Sequence, residues 1–158
     1  MQDILTCAMG LDVHRDIIVA CLVKGAVDAE PEAETRTFST LIPEMQKLRD
    51  WVIESECRNI AMESTGIYWQ PIYEMLESCF DGEISILVVN ARHMKNVPGR
   101  KTDMKDAQWI ATLLRAGLLK GSFIPDKAFR ELRHLTRYRK SVVHDITAQK
   151  NRIDKFLQ

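Results

Sequence analysis

The chain has 158 residues, of which 46% are hydrophobic, and this is enough to bury the core of one domain with an appendage. No apolar run reaches the length of about 18 residues that a membrane span needs, and the N-terminus has no basic region, so a transmembrane protein and a secretory signal are excluded. The net charge is zero, yet residues 1–90 carry six basic and 16 acidic side chains, whereas residues 91–158 carry 16 basic and six acidic ones. This asymmetry favours nucleic acid as a partner of the C-terminal part; the alternative is that the two halves neutralise each other across an internal or dimer interface.

The cysteines and histidines show no metal-binding spacing. Cys7, Cys21, Cys57 and Cys79 lie far apart, with no CxxC motif and no nearby histidine pair. We therefore expect reduced thiols in a cytosolic protein, with Cys7 and Cys21 in the core, and neither a disulfide framework nor a zinc site.

Hydrophobic periodicity predicts the element order βββαβαβα for the first 120 residues. The predicted strands span residues 4–11, 17–24, 34–39, 58–64 and 83–90. The predicted helices span residues 41–56, 68–80 and 102–119. The last strand is almost wholly apolar and flanked by helices, so we expect it at the centre of the sheet with both faces covered. The fold class is α/β: a three-layer domain over residues 1–120 on a five-stranded mixed sheet.

The remainder of the chain, residues 121–158, has a different character. A stretch without Gly or Pro over residues 127–158 predicts one long helix. Its apolar residues follow a 3–4 repeat, at Leu132, Val143, Ile146, Ile153 and Leu157. The repeat is interrupted at Thr136, Arg139 and Lys150, so it predicts an imperfect coiled-coil or bundle seam. Because the pattern stops at the last residue without a C-cap signal, we expect a fragment of a longer protein, cut within this helix.

Four carboxylates stand at the ends of predicted elements. Asp12 follows the first strand, Glu63 ends the fourth, and Asp103 and Asp106 share one face at a helix start. If the first and fourth strands are neighbours, Asp12 and Glu63 lie side by side. Clustered carboxylates repel one another unless a divalent cation neutralises them, and Mg²⁺ prefers such oxygen ligands. Two ions about 4 Å apart activate a nucleophile and stabilise a leaving oxygen in phosphodiester cleavage.

Basic side chains surround these acids in the sequence. We expect Lys95, Arg100 and Lys101, in a basic loop over residues 91–101 that includes Pro98 and Gly99, to contact the backbone of a nucleic acid substrate, together with Lys105 of the following helix. We expect the same of a second set on the long helix, namely Arg130, Arg133, Arg137, Arg139 and Lys140. The competing interpretations are a turn-forming Asp12, helix-dipole acids at positions 103 and 106, and a solvated basic helix face. His14 and Asp16 are expected to be solvated turn residues.

Three separated motifs carry a family resemblance. GLDVHRD at residues 10–16, AMESTGIYW at 61–69 and VPGRKTDMKDA at 97–107 resemble the IS110 family of insertion-sequence transposases. These are called DEDD transposases, and their N-terminal domain is similar to the Holliday-junction resolvase RuvC. Carried over position by position, the resemblance assigns the DEDD tetrad to Asp12, Glu63, Asp103 and Asp106. It implies an RNase H-like (RuvC-like) fold and dependence on Mg²⁺ or Mn²⁺.

The resemblance also implies partners and a setting. It implies cleavage and exchange of donor and target DNA strands, guidance by a structured bridge RNA, and action at the nucleoid in a prokaryotic cytoplasm. The long helix matches the family's coiled-coil region, which implies homodimers that assemble into a tetramer. Family members continue into a second domain with a nucleophilic serine, of which Ser64 is not the counterpart. We therefore expect this fragment to bind metal and nucleic acid without being competent for recombination by itself.

The sequence is also compatible with two other classes of protein. Actin-like kinases share the RNase H-like core and also begin with a strand that ends in Gly-x-Asp. They need glycine-rich phosphate loops, however, and the seven glycines of this chain are not clustered. The second alternative is a catalytically silent module for RNA binding and dimerisation, in which the acids are structural. A metal site that depends on the tetrad would distinguish the transposase from this silent module.

Overall fold

The computed structural model describes residues 4–63, 66–90 and 106–157. Five strands are β1 (Cys7–Val13), β2 (Ile17–Lys24), β3 (Glu32–Ser39), β4 (Asn59–Glu63) and β5 (Ser85–Val89). The described helices are α1 (Ile42–Glu54), α2 (Trp69–Phe80), α3 (Asp106–Arg115) and α4 (Lys127–Leu157). The chain divides into two compact units, Met1–Ser122 and Phe123–Gln158. None of the described helices is both long enough and apolar enough to cross a membrane.

The five strands form one mixed sheet in the order β3-β2-β1-β4-β5. The first three strands form an antiparallel meander, and β4 joins β1 in parallel on the other side, followed by β5 in parallel with β4. The central strand β1 therefore has an antiparallel and a parallel neighbour. The predicted five-stranded mixed sheet and long C-terminal helix are confirmed.

Strand β5 lies at one edge of this sheet, so the prediction of a central position was wrong. Its last residues, Val88 and Val89, are nevertheless buried. The segment after α3 lies beside it: the Ser122 amide donates to the Val88 carbonyl over 2.7 Å, and Gly121 approaches the Leu87 side chain. A run of apolar residues indicates that both faces of a strand are covered. It does not indicate whether the strand has one or two neighbouring strands in the sheet.

The sheet is covered on both faces, as a three-layer domain requires. Along β1, Ala8 and Gly10 point to one face, where Ala8 packs with Ile110 of α3. Val13 points to the other face and pairs across the ladder with Ile18, which in turn pairs with Phe38 of β3. The Phe38 ring lies 6.1 Å from the Trp51 ring of α1, measured between centroids. Helices α1 and α3 therefore cover opposite faces.

Gly10 allows α3 to approach the sheet backbone directly. A Cβ atom at this position would clash with the carbonyl oxygen of Ala107 and lie 2.5 Å from the Ala111 nitrogen. Both are backbone atoms of α3, which no side-chain rotation can move away. The absence of a side chain at Gly10 therefore determines how closely the helix sits on β1.

Arg115 ties the end of α3 to the start of β1. It is 1% exposed, and its Nε donates to the Leu5 carbonyl over 2.8 Å. Its Nη2 donates to the carbonyls of Gly25 and Ala26 over 3.1 and 2.5 Å. The Arg115 carbonyl also accepts hydrogen bonds from the amides of Ile4 and Leu5. One buried guanidinium thus joins three segments that are distant in sequence.

We expect Arg115→Met to lower the free energy of unfolding by about 3 kcal/mol, because three carbonyls would lose the donor that the buried guanidinium supplies. Urea unfolding followed by circular dichroism measures this difference. The matched control is Arg58→Met, at an exposed arginine, which we expect to change stability by less than about 0.5 kcal/mol. Equal stability of the two variants would contradict the role assigned to Arg115.

Candidate functional site

Asp12 is a residue of strand β1 and not of the turn that follows it. The predicted strand ended at residue 11, but pairing continues through Asp12 opposite Val19 and Val13 opposite Ile18. The His14 amide donates to the Ile17 carbonyl over 2.9 Å, which closes the hairpin. Asp12 is therefore held by the ladder, with its side chain only 15% exposed. Alternation along the strand places it on the same face as Gly10, the face that α3 covers.

Glu63 lies at the matching end of the neighbouring strand. Strand β4 is parallel to β1, with Gly10 beside Ala61 and Leu11 beside Met62. The next step of this register sets Glu63 beside Asp12, at the carboxyl ends of two adjacent parallel strands. In-register neighbours point to the same face of a sheet. The condition that the sequence left open, that the first and fourth strands are neighbours, is met.

Helix α3 brings Asp106 toward the same end of the sheet. Its residue Ala107 lies over Gly10, and its last residue, Arg115, binds Leu5 at the start of β1. The helix therefore runs antiparallel to β1, so that Asp106, its first residue, lies toward the end of the strand that carries Asp12. Asp106 is exposed.

The other predicted site residues of this region lie outside the described residues, namely Asp103, Lys95, Arg100, Lys101 and Lys105. Within residues 4–63, 66–90 and 106–157, no group of three or more His, Cys, Asp and Glu side chains is arranged to hold a metal ion. The donor set nevertheless has the right chemistry for Mg²⁺, since carboxylate oxygens are its preferred protein ligands.

His14 is an exposed residue of the hairpin turn, as predicted, and it also contacts Asp12. Its Nε2 donates to Asp12 Oδ2 over 3.1 Å, although the imidazole is 62% exposed. Residues two apart in an extended chain share a face, so the Asp-x-His spacing was the available signal. Asp16, by contrast, is 82% exposed and lies 3.8 Å from Arg15 in the hairpin loop, as expected of a turn residue.

A comparison with known protein families identifies the family of this chain. The model of the IS110-type DEDD family, described as Transposase, matches residues 9–158. The chain belongs to this transposase family. Membership removes the actin-like kinase from consideration. Comparison with curated proteins gives no significant match.

The transposase chain is also similar in fold to solved resolvase structures. One is Thermus thermophilus RuvC, at 12% identity and a TM-score of 0.50, covering 73% of this chain and 99% of the other. A second is T. thermophilus RuvC in complex with a Holliday junction substrate, at 12% identity and a TM-score of 0.50, covering 75% and 100%. At such low identity the similarity concerns the fold, and it confirms the predicted RuvC-like, RNase H-like architecture.

On α4, the structure separates the predicted basic residues of the transposase into three environments. Arg130 is 7% exposed, and its Nη1 donates to the Pro125 carbonyl over 2.6 Å, so it is a structural residue of the helix start. Arg133, Arg137 and Lys140 are exposed and share one face at i, i+4 and i+7. We call these three residues the basic face of α4.

The fifth basic residue, Arg139, lies on the apolar seam of the same helix. It is seven residues after Leu132 and seven before Ile146, which places the three on one helical stripe. The predicted seam residues are at least 50% exposed, namely Leu132, Val143, Ile146, Ile153 and Leu157. The structure adds three further exposed apolar residues to it, which are Leu135, Val142 and Phe156.

Proposed function

We propose that this chain is the metal-dependent DNA-cleaving part of its transposase, with Asp12, Glu63, Asp103 and Asp106 as ligands of Mg²⁺ or Mn²⁺. The observation that supports the proposal is the parallel pairing of β1 with β4, whose register, continued by one residue, brings Asp12 and Glu63 side by side at the carboxyl ends of these strands. Family membership supports DNA cleavage and recombination as the reaction class, and within it we propose cleavage and exchange of donor and target strands. Mn²⁺ titration of the chain and its carboxylate variants tests the proposal, as set out in the Discussion.

Each acid has a distinct structural support. Asp12 is held by its pairing with Val19 of β2 and receives the His14 hydrogen bond, which orients one of its oxygens. Glu63 is held by β5, where it pairs with Val89. Asp106 depends on the seating of α3 over Gly10. When bound, a pair of Mg²⁺ ions supplies a more acidic water and stabilises the charge that develops at a phosphodiester.

We propose that the basic face of α4 contacts the phosphates of nucleic acid, either the DNA strands or the structured bridge RNA that guides family members. Three exposed cations at helical spacing present their charges along one line, which suits a phosphate backbone. RuvC, whose fold this chain shares, has been solved with a Holliday junction substrate. A branched DNA is therefore a suitable first probe. The setting that follows is the nucleoid of a prokaryotic cytoplasm.

We propose that the seam of α4 pairs two copies of the chain, as the first step toward a tetramer. Apolar residues recur with a heptad spacing in two rows. One row is Leu132, Ile146 and Ile153, and the other is Leu135, Val142 and Phe156. Arg139 interrupts the first row and Gln149 the second, and a polar residue at such a position selects register and partner number at some cost in stability.

We expect the triple variant of the basic face, Arg133→Gln, Arg137→Gln and Lys140→Gln, to bind a DNA junction more weakly and with a smaller salt dependence. If each residue neutralises one phosphate, the slope of log K against log salt falls by about 3. Fluorescence anisotropy over a series of salt concentrations measures both quantities.

The matched control removes the same charge from the other unit, by Lys47→Gln, Arg49→Gln and Arg58→Gln. We expect a much smaller change in the salt slope for this control, because it lowers the net charge of the protein by the same amount but leaves the basic face of α4 unchanged. Equal slopes for the two triple variants would show that the basic face of α4 makes no specific phosphate contacts.

A further inference from the structure

Two cysteines lie at the end of the sheet opposite the end that carries Asp12 and Glu63. Cys7 is the first residue of β1 and pairs with Lys24 of β2, while Cys57 lies just before β4 on the other side. The Cys57 thiol donates to the Asn59 carbonyl over 3.3 Å, and Asn59 Nδ2 donates to the Cys7 carbonyl over 3.4 Å. Asn59 thus links the two cysteines, which lie at the starts of adjacent strands and are close enough for each thiol to shift the pKa of the other.

We propose that Cys7 and Cys57 form a dithiol site that hydroperoxides convert into an intramolecular disulfide. All four cysteines of the structure are free thiols, so this is the reduced form. The proposal rests on the position of the two cysteines at the starts of neighbouring strands, both bonded to Asn59, and is independent of the metal site and of the proposed function.

The environment assigns different roles to the two sulfurs. The hydrogen bond with Cys57 lowers the pKa of Cys7 to about 7, with smaller contributions from Lys24 and Arg115, and these effects outweigh burial, which raises it. The same hydrogen bond and the burial of Cys57 raise the pKa of that thiol. At neutral pH a substantial fraction of Cys7 is therefore nucleophilic thiolate, whereas Cys57 retains its proton.

A small oxidant can approach this end of the sheet. Cys7 is partly exposed, whereas Cys57 is 2% exposed but lines a cavity of about 350 Å³. The cavity is also lined by Arg58, Glu83 and Ile84. A disulfide partner need not meet bulk solvent, because it reacts only with the neighbouring sulfur.

The reaction balances in two steps. The Cys7 thiolate attacks one peroxide oxygen, so that an S–O bond forms, the O–O bond breaks, and the departing alkoxide takes a solvent proton to become an alcohol. The Cys57 sulfur then attacks the Cys7 sulfenic acid; the S–S bond forms, the S–O bond breaks, and hydroxide leaves with the Cys57 proton as water. Two thiols thereby lose two electrons, and the hydroperoxide is reduced.

The product would join the starts of β1 and β4, the two strands that carry Asp12 and Glu63 at their other ends. It would close a loop over residues 7–57 and restrict the unfolded chain, so the oxidised protein should unfold at higher temperature. The modification would therefore make the stability of the central strand pair sensitive to peroxide.

The test is one equivalent of tert-butyl hydroperoxide added to the reduced, purified chain, followed by N-ethylmaleimide. We expect free thiols to fall from four to two, a Cys7–Cys57 linked peptide pair in a non-reducing peptide map, and a higher unfolding midpoint that dithiothreitol reverses. Disulfide-linked dimers through Cys79, with N-ethylmaleimide on both Cys7 and Cys57, would overturn the proposal.

Two variants sharpen the result. Cys79→Ser removes the exposed thiol and should leave the intramolecular disulfide intact. Cys57→Ser should instead give a dimedone-reactive sulfenic acid at Cys7, and Cys7→Ser should give neither product. Near-UV circular dichroism checks that each variant is folded, and the peptide map of the unmutated chain decides the proposal if a variant is not.

Discussion

Asp12→Asn is expected to weaken Mn²⁺ binding by this chain about 100-fold or more, without unfolding it. Loss of a group that merely supports a metal ligand costs 10–100-fold in affinity, and the loss of a ligand should cost at least as much. Asparagine has nearly the same shape as aspartate, so the β1 ladder and the His14 contact can persist while the anionic ligand is lost. Asp106→Asn should weaken Mn²⁺ binding in the same direction.

Isothermal titration with Mn²⁺ measures the affinity, and circular dichroism checks the fold. The matched control is Asp16→Asn, which makes the same charge change four residues away, at a side chain that is 82% exposed and faces Arg15. We expect this control to bind Mn²⁺ as the unmutated chain does.

The titration also separates the proposed nuclease site from the alternative of a catalytically silent module. Saturable Mn²⁺ binding that depends on Asp12 and Asp106 supports the metal site. If Mn²⁺ does not bind, or binds equally to all variants, the acids are structural and the chain serves RNA binding and dimerisation instead. Neither result affects the thiol proposal, which concerns the other end of the sheet.

Gly10→Ala is expected to lower the free energy of unfolding by about 3 kcal/mol, the upper part of the range for overpacking a core. The new methyl group would meet the backbone of Ala107 and Ala111, so α3 must move away from β1. Because α3 carries Asp106, we also expect weaker Mn²⁺ binding, although every carboxylate is still present.

Urea unfolding and the Mn²⁺ titration measure the two effects of Gly10→Ala separately. Thr37→Ala, at an exposed position of strand β3, is the control for a strand substitution that meets no helix, and it should change both quantities little. Unchanged stability of Gly10→Ala would contradict the close seating of α3. Lower stability with unchanged Mn²⁺ affinity would show that Asp106 does not depend on that seating.

Much of the fold was predictable because its elements are encoded locally. All five strands and the helices of the described residues lie within a few residues of the predicted ranges, since the alternation of apolar side chains is visible over six to ten positions. The features that were not predicted depend on how the strands pair with one another. The end of β1 extends to include Asp12 because β2 continues to pair with it, and no property of residue 12 itself shows this.

The candidate site was predictable in part for a different reason. Asp12, Glu63, Asp103 and Asp106 were assigned from strand ends, helix spacing and a family resemblance, and the assignment of the full tetrad stays a prediction. The environment of each basic residue on α4 could not be predicted in the same way. Arg130 and Arg133 are both arginines on one helix, yet only the structure shows that Arg130 binds the Pro125 carbonyl.

The sequence by itself determined the elements, the family resemblance and the charge asymmetry of this chain, because these depend on residue identity and short-range spacing. Only the tertiary structure decided that β5 is an edge strand, that the strands of Asp12 and Glu63 are parallel neighbours, and that Asn59 links Cys7 with Cys57. Each of these depends on which strands become neighbours. Such pairing joins residues some fifty positions apart, and it is selected by the packing of the whole core and not by any local pattern.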